Sequence, residues 1–298
     1  MARIYVHTPL NISRTLVKML EEFCKELKGR HGLEINIETQ PHNPSEESKF
    51  SSYIKKGELP DLSIGHVNDF ADLPKQYLAE HLLALPDRFP VRNELAELGF
   101  RDSNAFFHPF VVIPFAMFYN PQLLDEKDVP LKWSDLLDPR WQGKIIMPDA
   151  NRMASVIVRT FMAADFPDKF DSFKNNVTYA GSPLEVVNGV HEGKYTIGIT
   201  NIAFAHISSQ KNTRIIWPQD GLFCMPQVMV WSNKAPEAIL EVGDFLLSKP
   251  VQEYLVMQSF VPVSPEVPLP QLVVDHQCSL RWKGWEYFLE VIKGRKAQ

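Results

Sequence analysis

The sequence predicts an α/β protein of two lobes between which the chain crosses twice. Its 298 residues exceed the ~100–200 residues of a typical domain. The first third and the middle third each alternate strand-like and helix-like segments, the pattern of a parallel sheet covered by helices. The last third adds one strand and several amphipathic helices, which need an existing sheet to pack on.

The N-terminal third holds the first α/β series. The predicted elements are a strand at residues 3–7, a helix at 13–28 ending at Gly29, a strand at 33–37, a helix from Ser45 to Gly57 and a strand at 61–65. Parallel strands of this kind bind ligands beyond their carboxyl ends. We therefore expect one polar rim after the first and third strands, formed by His7, Thr8, Gly65, His66 and Asn68.

The middle third holds the second series. The predicted elements are a helix at 134–137, a strand at 144–147, a helix from Asn151 to Ala164, a strand at 177–180, a helix from Ser182 to Gly193, a strand at 195–199, a helix at 201–209 and a strand at 213–217. The clearest helix start is Ser182-Pro183-Leu184-Glu185, which joins an N-cap, a proline at the first helical position and a capping-box glutamate.

The C-terminal third is expected to return to the first lobe. It contains a predicted strand at 228–231 and predicted helices at 236–247, 251–257 and 280–292. Three strands alone would form a marginal domain, so these elements complete it. The predicted lobes are residues 1–112 with 227–298, and residues 113–226.

Composition argues against several classes of protein. Lys and Arg number 31 against 36 Asp and Glu, and the resulting net charge of −5 disfavours a nucleic-acid partner. The longest apolar run, 110–119, is shorter than the ~20 residues of a membrane span. The three cysteines Cys24, Cys224 and Cys278 form no Cys-x-x-Cys pair, so neither a disulfide framework nor a zinc site is expected.

Motifs for catalysis and cofactor binding are missing from the sequence. It contains no Gly-x-Ser-x-Gly, no Gly-x-Gly-x-x-Gly after the first strand, no phosphate loop and no His-Glu-x-x-His. Carboxylate pairs such as Glu46 and Glu47 fall in polar segments that are typical of solvated surfaces. We expect no cofactor and no catalytic step, and we interpret His7 and His66 as polar rim residues rather than metal ligands.

A second polar rim is predicted in the middle third. Arg152 and Ser155 begin a helix, and a guanidinium and a hydroxyl beside free backbone N–H groups suit a carboxylate, phosphonate or sulfate. The alternative is a capped helix in which Arg152 pairs with Asp149. Thr200 and Asn201 repeat the arrangement after another strand, so the two helix starts favour an anionic ligand.

Several segments carry a family resemblance that spans most of the chain. They are 133–145 (WSDLLDPRWQGKI) with Met147-Pro148-Asp149, Phe118-Tyr119-Asn120, 193–199 (GKYTIGI), Asp220-Gly221 and 245–250 (FLLSKP) with Gln252. In these segments the chain resembles the extracellular solute-binding proteins of ABC importers, in the branch that serves ferric iron, thiamine, phosphonates and related ligands.

The resemblance implies a fold, a function and a compartment. The fold is the two-lobed periplasmic-binding-protein-like II fold, whose lobes close on a small molecule in the cleft and then dock on a membrane permease. We expect a monomer that binds no nucleic acid. Because the family is extracellular, we expect a periplasmic or extracellular protein. The sequence opens in a strand-like segment without a leader, so we expect that the export signal was trimmed; a cytoplasmic protein is the alternative.

Departures from the family pattern bear on the ligand. Ferric members of the family have adjacent tyrosines where this chain has Ala203 and Phe204, and a carboxylate where it has His66. Because Fe(III) favours phenolate and carboxylate oxygen, the resemblance does not predict tyrosine-ligated iron here.

The predicted function is therefore reversible capture of a small, anionic solute. The candidate ligand-binding residues are His7, Thr8, His66 and Asn68 in the first lobe, Arg152, Ser155, Thr200, Asn201 and Phe204 in the second lobe, and Tyr119 near a crossing. Two alternatives stay open: a transferase-like enzyme acting on a small molecule, and a cytoplasmic ligand sensor.

Overall fold

The computed structural model describes residues 1–40, 49–277 and 279–294. The expected helix start at Ser45 and the thiol of Cys278 lie outside these residues. The strands are β1 (Ala2–His7), β2 (Ile35–Thr39), β3 (Leu62–His66), β4 (His108–Tyr119), β5 (Ile145–Pro148), β6 (Val177–Ala180), β7 (Ile197–Asn201), β8 (Arg214–Ile216), β9 (Leu222–Trp231), β10 (Val261–Pro262) and β11 (Leu280–Arg281).

Helices connect most of these strands. The α-helices are α1 (Leu10–His31), α2 (Lys49–Lys56), α3 (Asn68–Ala71), α4 (Lys75–His81), α5 (Asn93–Glu97), α6 (Met153–Asp165), α7 (Phe170–Asn176), α8 (Pro183–His191), α9 (Ile202–Ser209), α10 (Glu241–Leu246), α11 (Lys249–Met257), α12 (Gln271–Asp275) and α13 (Trp285–Gly294). Short 3₁₀ segments lie at Glu126–Asp128, Trp133–Leu137, Pro139–Trp141, Pro167–Lys169 and Glu237–Leu240. Within the described residues, no helix combines the length and the apolar character that crossing a membrane requires.

The chain folds into two compact units. The first unit contains Met1–Val112, Pro226–Leu269 and Lys283–Lys293, and the second contains Ile113–Met225 and Pro270–Trp282. Strands β4 and β9 each begin in one unit and end in the other. The segment 270–282 belongs to the second unit, whereas the sequence analysis places it in the first lobe.

The first unit is built on a parallel sheet extended by antiparallel strands. Strand β1 pairs in parallel with β2 and with β3, β3 pairs antiparallel with β9, and β10 pairs antiparallel with β4. Helix α1 covers this sheet with a stripe of buried residues at helical spacing: Ile12, Leu16, Leu20, Cys24 and Leu27. Burial raises the pKa of the Cys24 thiol to about 11, so this thiol stays protonated and unreactive at neutral pH.

The second unit is a mixed sheet. Strand β5 pairs in parallel with β6 and β7, while β4 pairs antiparallel with β7 and β8. The ring of Phe118 packs across β7 on Gly198, where a Cβ would lie 2.3 Å from the ring. The predicted start of α8 is observed, because the Ser182 hydroxyl accepts from the Glu185 N–H at 3.3 Å.

Several predicted boundaries are wrong, most clearly the end of α1 and the predicted helix over 280–292. Helix α1 continues through Gly29 and ends at Gly32, whose φ of 67° allows its N–H to bond the Lys28 carbonyl. The predicted helix over 280–292 is in fact the short strand β11 followed by α13. Strand β11 pairs with β9, and Arg281 forms ion pairs with Asp165 (2.7 Å) and Asp220 (2.5 Å), so long-range contacts override the local helical pattern.

A partly buried imidazole makes the stability of the first unit depend on pH. The ring centroid of His108 lies 5.3 Å from that of Phe89 and 5.7 Å from that of Trp231. Burial lowers the pKa of His108. Below about pH 6.5 the unfolded chain therefore takes up a proton more readily than the folded chain does. We expect the free energy of unfolding to fall as the pH drops from 7.5 to 5.5, and to fall less in His108→Gln. Urea titrations at both pH values test this, and an equal fall in the variant would contradict it.

Candidate functional site

Polar side chains gather where two parallel strands of the first unit end. Strands β1 and β3 run side by side with His7 opposite Gly65, and Gln227 of β9 stands opposite His66. We name this group the first polar edge: His7, Thr8, His66, Asn68, Asp69 and Gln227. It contains every residue that the sequence predicts for a ligand site in the first lobe.

Gly65 allows the two strands to approach closely. Its φ is 143°, and a Cβ built on it would lie 1.9 Å from the His7 carbonyl oxygen, so only glycine fits without moving the backbone. The approach brings the rings of His7 and His66 to 4.5 Å between centroids, nearly perpendicular to each other.

An acidic neighbour orients His7. The Nδ1 atom of His7 lies 2.9 Å from Oδ2 of Asp69, with the two side chains 22% and 13% exposed. Since an ionised carboxylate only accepts hydrogen bonds, Nδ1 carries the proton, and Nε2 of the neutral ring is left as an acceptor.

A buried amide orients His66. The Nε2 atom of Gln227 donates to Nδ1 of His66 at 2.8 Å, and both side chains are buried. The neutral His66 ring therefore carries its proton on Nε2, so the two neighbouring imidazoles differ in hydrogen-bonding character.

Polar side chains also lie where two parallel strands of the second unit end. Strands β5 and β7 are parallel neighbours, so the residues after Pro148 and those at the end of β7 lie at the same edge of the sheet. We name this group the second polar edge: Arg152, Ser155, Thr200, Asn201 and Phe204. Asn201 caps α9, where its Oδ1 accepts from the Phe204 N–H at 3.4 Å.

The start of α6 differs from the expectation in two details. Arg152, not Asn151, is the N-cap residue, and no side chain caps this end. Asp149 instead accepts from the Asn151 N–H at 2.9 Å. The hydroxyl of Ser155 donates to the Pro148 carbonyl at 2.6 Å, so it holds α6 against β5 and has only lone pairs left for a ligand.

Tyr119 lies away from the second polar edge. It is opposite Ile197 at the start of β7, whereas Phe115 is opposite Asn201 at the end. Four residues of strand separate these positions by about 13 Å at ~3.3 Å per residue. Tyr119 instead faces Arg214, whose pKa is raised by Glu126 and by Tyr119.

Buried polar atoms at the two edges lack hydrogen-bond partners within the described ranges. Among them are Oγ1 of Thr8, Oε1 of Gln227 and Oγ1 of Thr200, on residues at most 2% exposed. A buried polar atom left unpaired costs ~1–3 kcal/mol, and folded proteins rarely keep one without a reason. A bound polar ligand would satisfy these atoms.

Sequence reasoning missed two members of the first polar edge. Asp69 directly follows Asn68, yet the short helix α3 that presents it carries no clear helical pattern. Gln227 joins the edge through antiparallel pairing with a strand 161 residues away. Only the alignment of β9 on β3 could have identified it.

No metal cluster accompanies these edges. Across 1–40, 49–277 and 279–294, no group of three or more His, Cys, Asp or Glu side chains could hold a metal ion.

Solved structures share the fold of this chain at low sequence identity. A ferric binding protein from Campylobacter jejuni is 16% identical, with a TM-score of 0.74 over 100% of this chain and 98% of that chain. An ABC transporter protein from Clostridium perfringens is 16% identical (TM-score 0.67, 99% and 96% covered). A Trichodesmium protein in complex with iron and citrate is 13% identical (TM-score 0.70, 99% and 96% covered). These likenesses confirm the predicted fold class.

Sequence comparison identifies the family. A search of the curated proteins found no match. The family model described as bacterial extracellular solute-binding protein matches residues 58–291, which is most of the chain and includes both His66 and Arg152. The chain therefore belongs to the bacterial extracellular solute-binding proteins, as its resemblance predicted.

Proposed function

We propose that this solute-binding protein captures one small anionic solute through residues of both polar edges and delivers it unchanged to an ABC permease. The observation that carries the proposal is the set of unpartnered buried atoms on Thr8, Gln227 and Thr200. A ligand is the simplest partner for such atoms in a protein whose family binds solutes.

The second polar edge favours a negatively charged solute. Arg152 stands at the start of α6, a helix of 13 residues with no side-chain cap at this end. The partial positive charge of a helix N-terminus and a guanidinium both stabilise an anion. The citrate bound by the similar Trichodesmium protein is consistent with an anionic ligand.

The solute we propose is not a bare ferric ion. The positions at which ferric members of the family are expected to have tyrosines hold Ala203 and Phe204, and His66 stands where a carboxylate is expected. Fe(III) is a hard ion that prefers oxygen ligands, and the described residues contain no group of three or more His, Cys, Asp or Glu side chains that could hold it.

We further propose where and how the protein acts. Its family is extracellular, so we place it in the periplasm or outside the cell. It acts there as a monomer and binds no nucleic acid. Size-exclusion chromatography with light scattering tests the monomer, and fractionation of the producing cells tests the compartment.

A thermal-shift screen tests the proposed ligand class. The panel contains carboxylates, phosphonates, sulfate, vitamins, polyamines and metal ions. A solute present at about 100 times its Kd adds ~2.7 kcal/mol to the free energy of unfolding and raises the Tm. We expect an anion to give the largest shift. A shift with metal ions or polyamines alone would contradict the proposal, as would no shift at all.

Arg152→Ala is expected to weaken binding of the anion found in this way by roughly tenfold or more, because a hydrogen bond to a charged group contributes ~1.5–3 kcal/mol. Isothermal titration calorimetry measures the change. Arg140→Ala serves as the matched control, since Arg140 is an exposed arginine of the same unit that packs over Trp141. Equal affinity of wild type and Arg152→Ala would reject the role of Arg152.

Reversible capture also distinguishes a receptor from an enzyme. We expect mass spectrometry to recover the solute unaltered after prolonged incubation with the protein. A product of different mass would favour the transferase-like alternative.

A further inference from the structure

A cavity of about 360 Å³ runs along α6 in the second unit. This volume lies near the lower end of the ~300–1,000 Å³ that small-molecule sites occupy. Met153, Val156 and Thr160 line it from one face of the helix, since they are three and four residues apart. None of the five residues of the second polar edge lines this cavity.

One wall of the cavity carries an incompletely paired cation. The Arg159 Nε atom is buried and finds no hydrogen-bond partner among the residues that the structure describes. The guanidinium stacks over Tyr179, with Cζ 5.8 Å from the ring centroid. Thr160, only 5% exposed, adds a hydroxyl to the same lining. Buried N–H groups of a charged side chain normally bond an acceptor.

Two acidic side chains that flank the lining residues in sequence, Asp149 and Asp171, have other partners. Asp149 accepts from the Asn151 N–H at 2.9 Å, and Asp171 pairs with Lys174 at 2.7 Å. An external anion would therefore supply the acceptor that Arg159 lacks.

Apart from the polar residue Asn151, the remaining lining is apolar. Met153 and Val156 of α6 and Phe170 at the start of α7 face this space. Lys174 lies over the Phe170 ring, with Nζ 5.5 Å from its centroid, and its charge is balanced by Asp171. A ligand that fits this lining has an anionic head and a compact apolar body.

We propose that this cavity is a second small-molecule site, which binds a monocarboxylate with a short branched or aromatic body. The planar guanidinium of Arg159 matches the two oxygens of a carboxylate. The apolar body packs against Met153, Val156 and Phe170. None of the residues that line this site belongs to either polar edge.

Benzoate and isovalerate are suitable probes, with benzamide as the neutral counterpart of benzoate. Saturation-transfer NMR titrations on the full chain should detect at least one carboxylate, with benzamide binding at least tenfold more weakly. Arg159→Gln should weaken carboxylate binding at least tenfold, and Arg159→Lys should weaken it less. Arg140→Gln, which removes an arginine stacked over Trp141 in the same unit, should leave binding unchanged.

A second variant fills the cavity without touching its charge. Val156→Phe should block both carboxylates while the response to the solute of the polar edges stays unchanged, which shows that the fold is intact. The proposal is overturned if neither carboxylate binds the wild type. It is also overturned if Arg159→Gln and Val156→Phe both bind the carboxylates as tightly as the wild type does.

Discussion

Gly65→Ala is expected to abolish solute binding and to lower the free energy of unfolding by roughly 3 kcal/mol or more. The new Cβ would lie 1.9 Å from the His7 carbonyl oxygen, on a residue with a φ of 143°. Strain at such a backbone conformation alone costs ~1–3 kcal/mol, and relieving the overlap would separate β1 from β3. The rings of His7 and His66 would then lose their present arrangement. Urea unfolding and calorimetry measure the two effects.

Gly29→Ala is the matched control for this substitution. Gly29 lies inside α1, and a Cβ added there would meet no heavy atom within 4 Å. Alanine in a helix is more stable than glycine by ~0.5–1 kcal/mol, so this variant should gain stability and bind the solute normally. A Gly65→Ala protein as stable and active as the wild type would show that the close approach of the strands is not required.

Gln227→Leu is expected to weaken solute binding by roughly tenfold or more. The substitution removes the donor to His66 and leaves Nδ1 of a buried ring without its partner, at a cost of ~1–3 kcal/mol in stability. It also removes the Oε1 atom of Gln227, which we propose forms a hydrogen bond with the solute. The double variant His66→Leu/Gln227→Leu should cost less stability than the sum of the two single variants, because both lose the same bond.

A second buried glutamine provides a control that distinguishes an effect on solute binding from an effect on stability. Gln252 is also fully buried in the first unit, where it donates to the carbonyls of Phe110 and Leu246 and accepts from two backbone N–H groups. None of these partners belongs to the first polar edge. Gln252→Leu should therefore destabilise the fold but leave the affinity of the remaining folded protein unchanged. Equal loss of affinity in the Gln227 and Gln252 variants would indicate a general effect on folding.

The elements that local sequence predicts well are those with their own start and stop signals. The capping box at Ser182 specifies the beginning of α8, and the alternating pattern near Ile35 predicts a strand, which the structure places two residues later as β2. The predicted end of α1 is wrong because Gly29 is tolerated inside the helix, whereas Gly32, with a φ of 67°, is the glycine that ends it. The separation of β11 from α13 depends on pairing with β9, which no local pattern reveals.

The candidate site also contains residues that local sequence predicts and residues that depend on long-range pairing. Strand ends are visible in the sequence, so His7 and His66 could be placed on one rim, and the structure brings them together. Gln227 depends on antiparallel pairing between distant segments. Tyr119 depends on the direction of β4 relative to β7, which places it at the far end of the sheet from Asn201.

The central claim is that residues of both units bind the same solute. Its most direct test is titration calorimetry of the wild type, His66→Leu, Arg152→Ala and the double variant with the anion that the screen identifies. We predict one solute per chain, weaker binding in each single variant and the weakest binding in the double variant. A solute whose affinity depends on neither residue, or on only one of them, would contradict the claim.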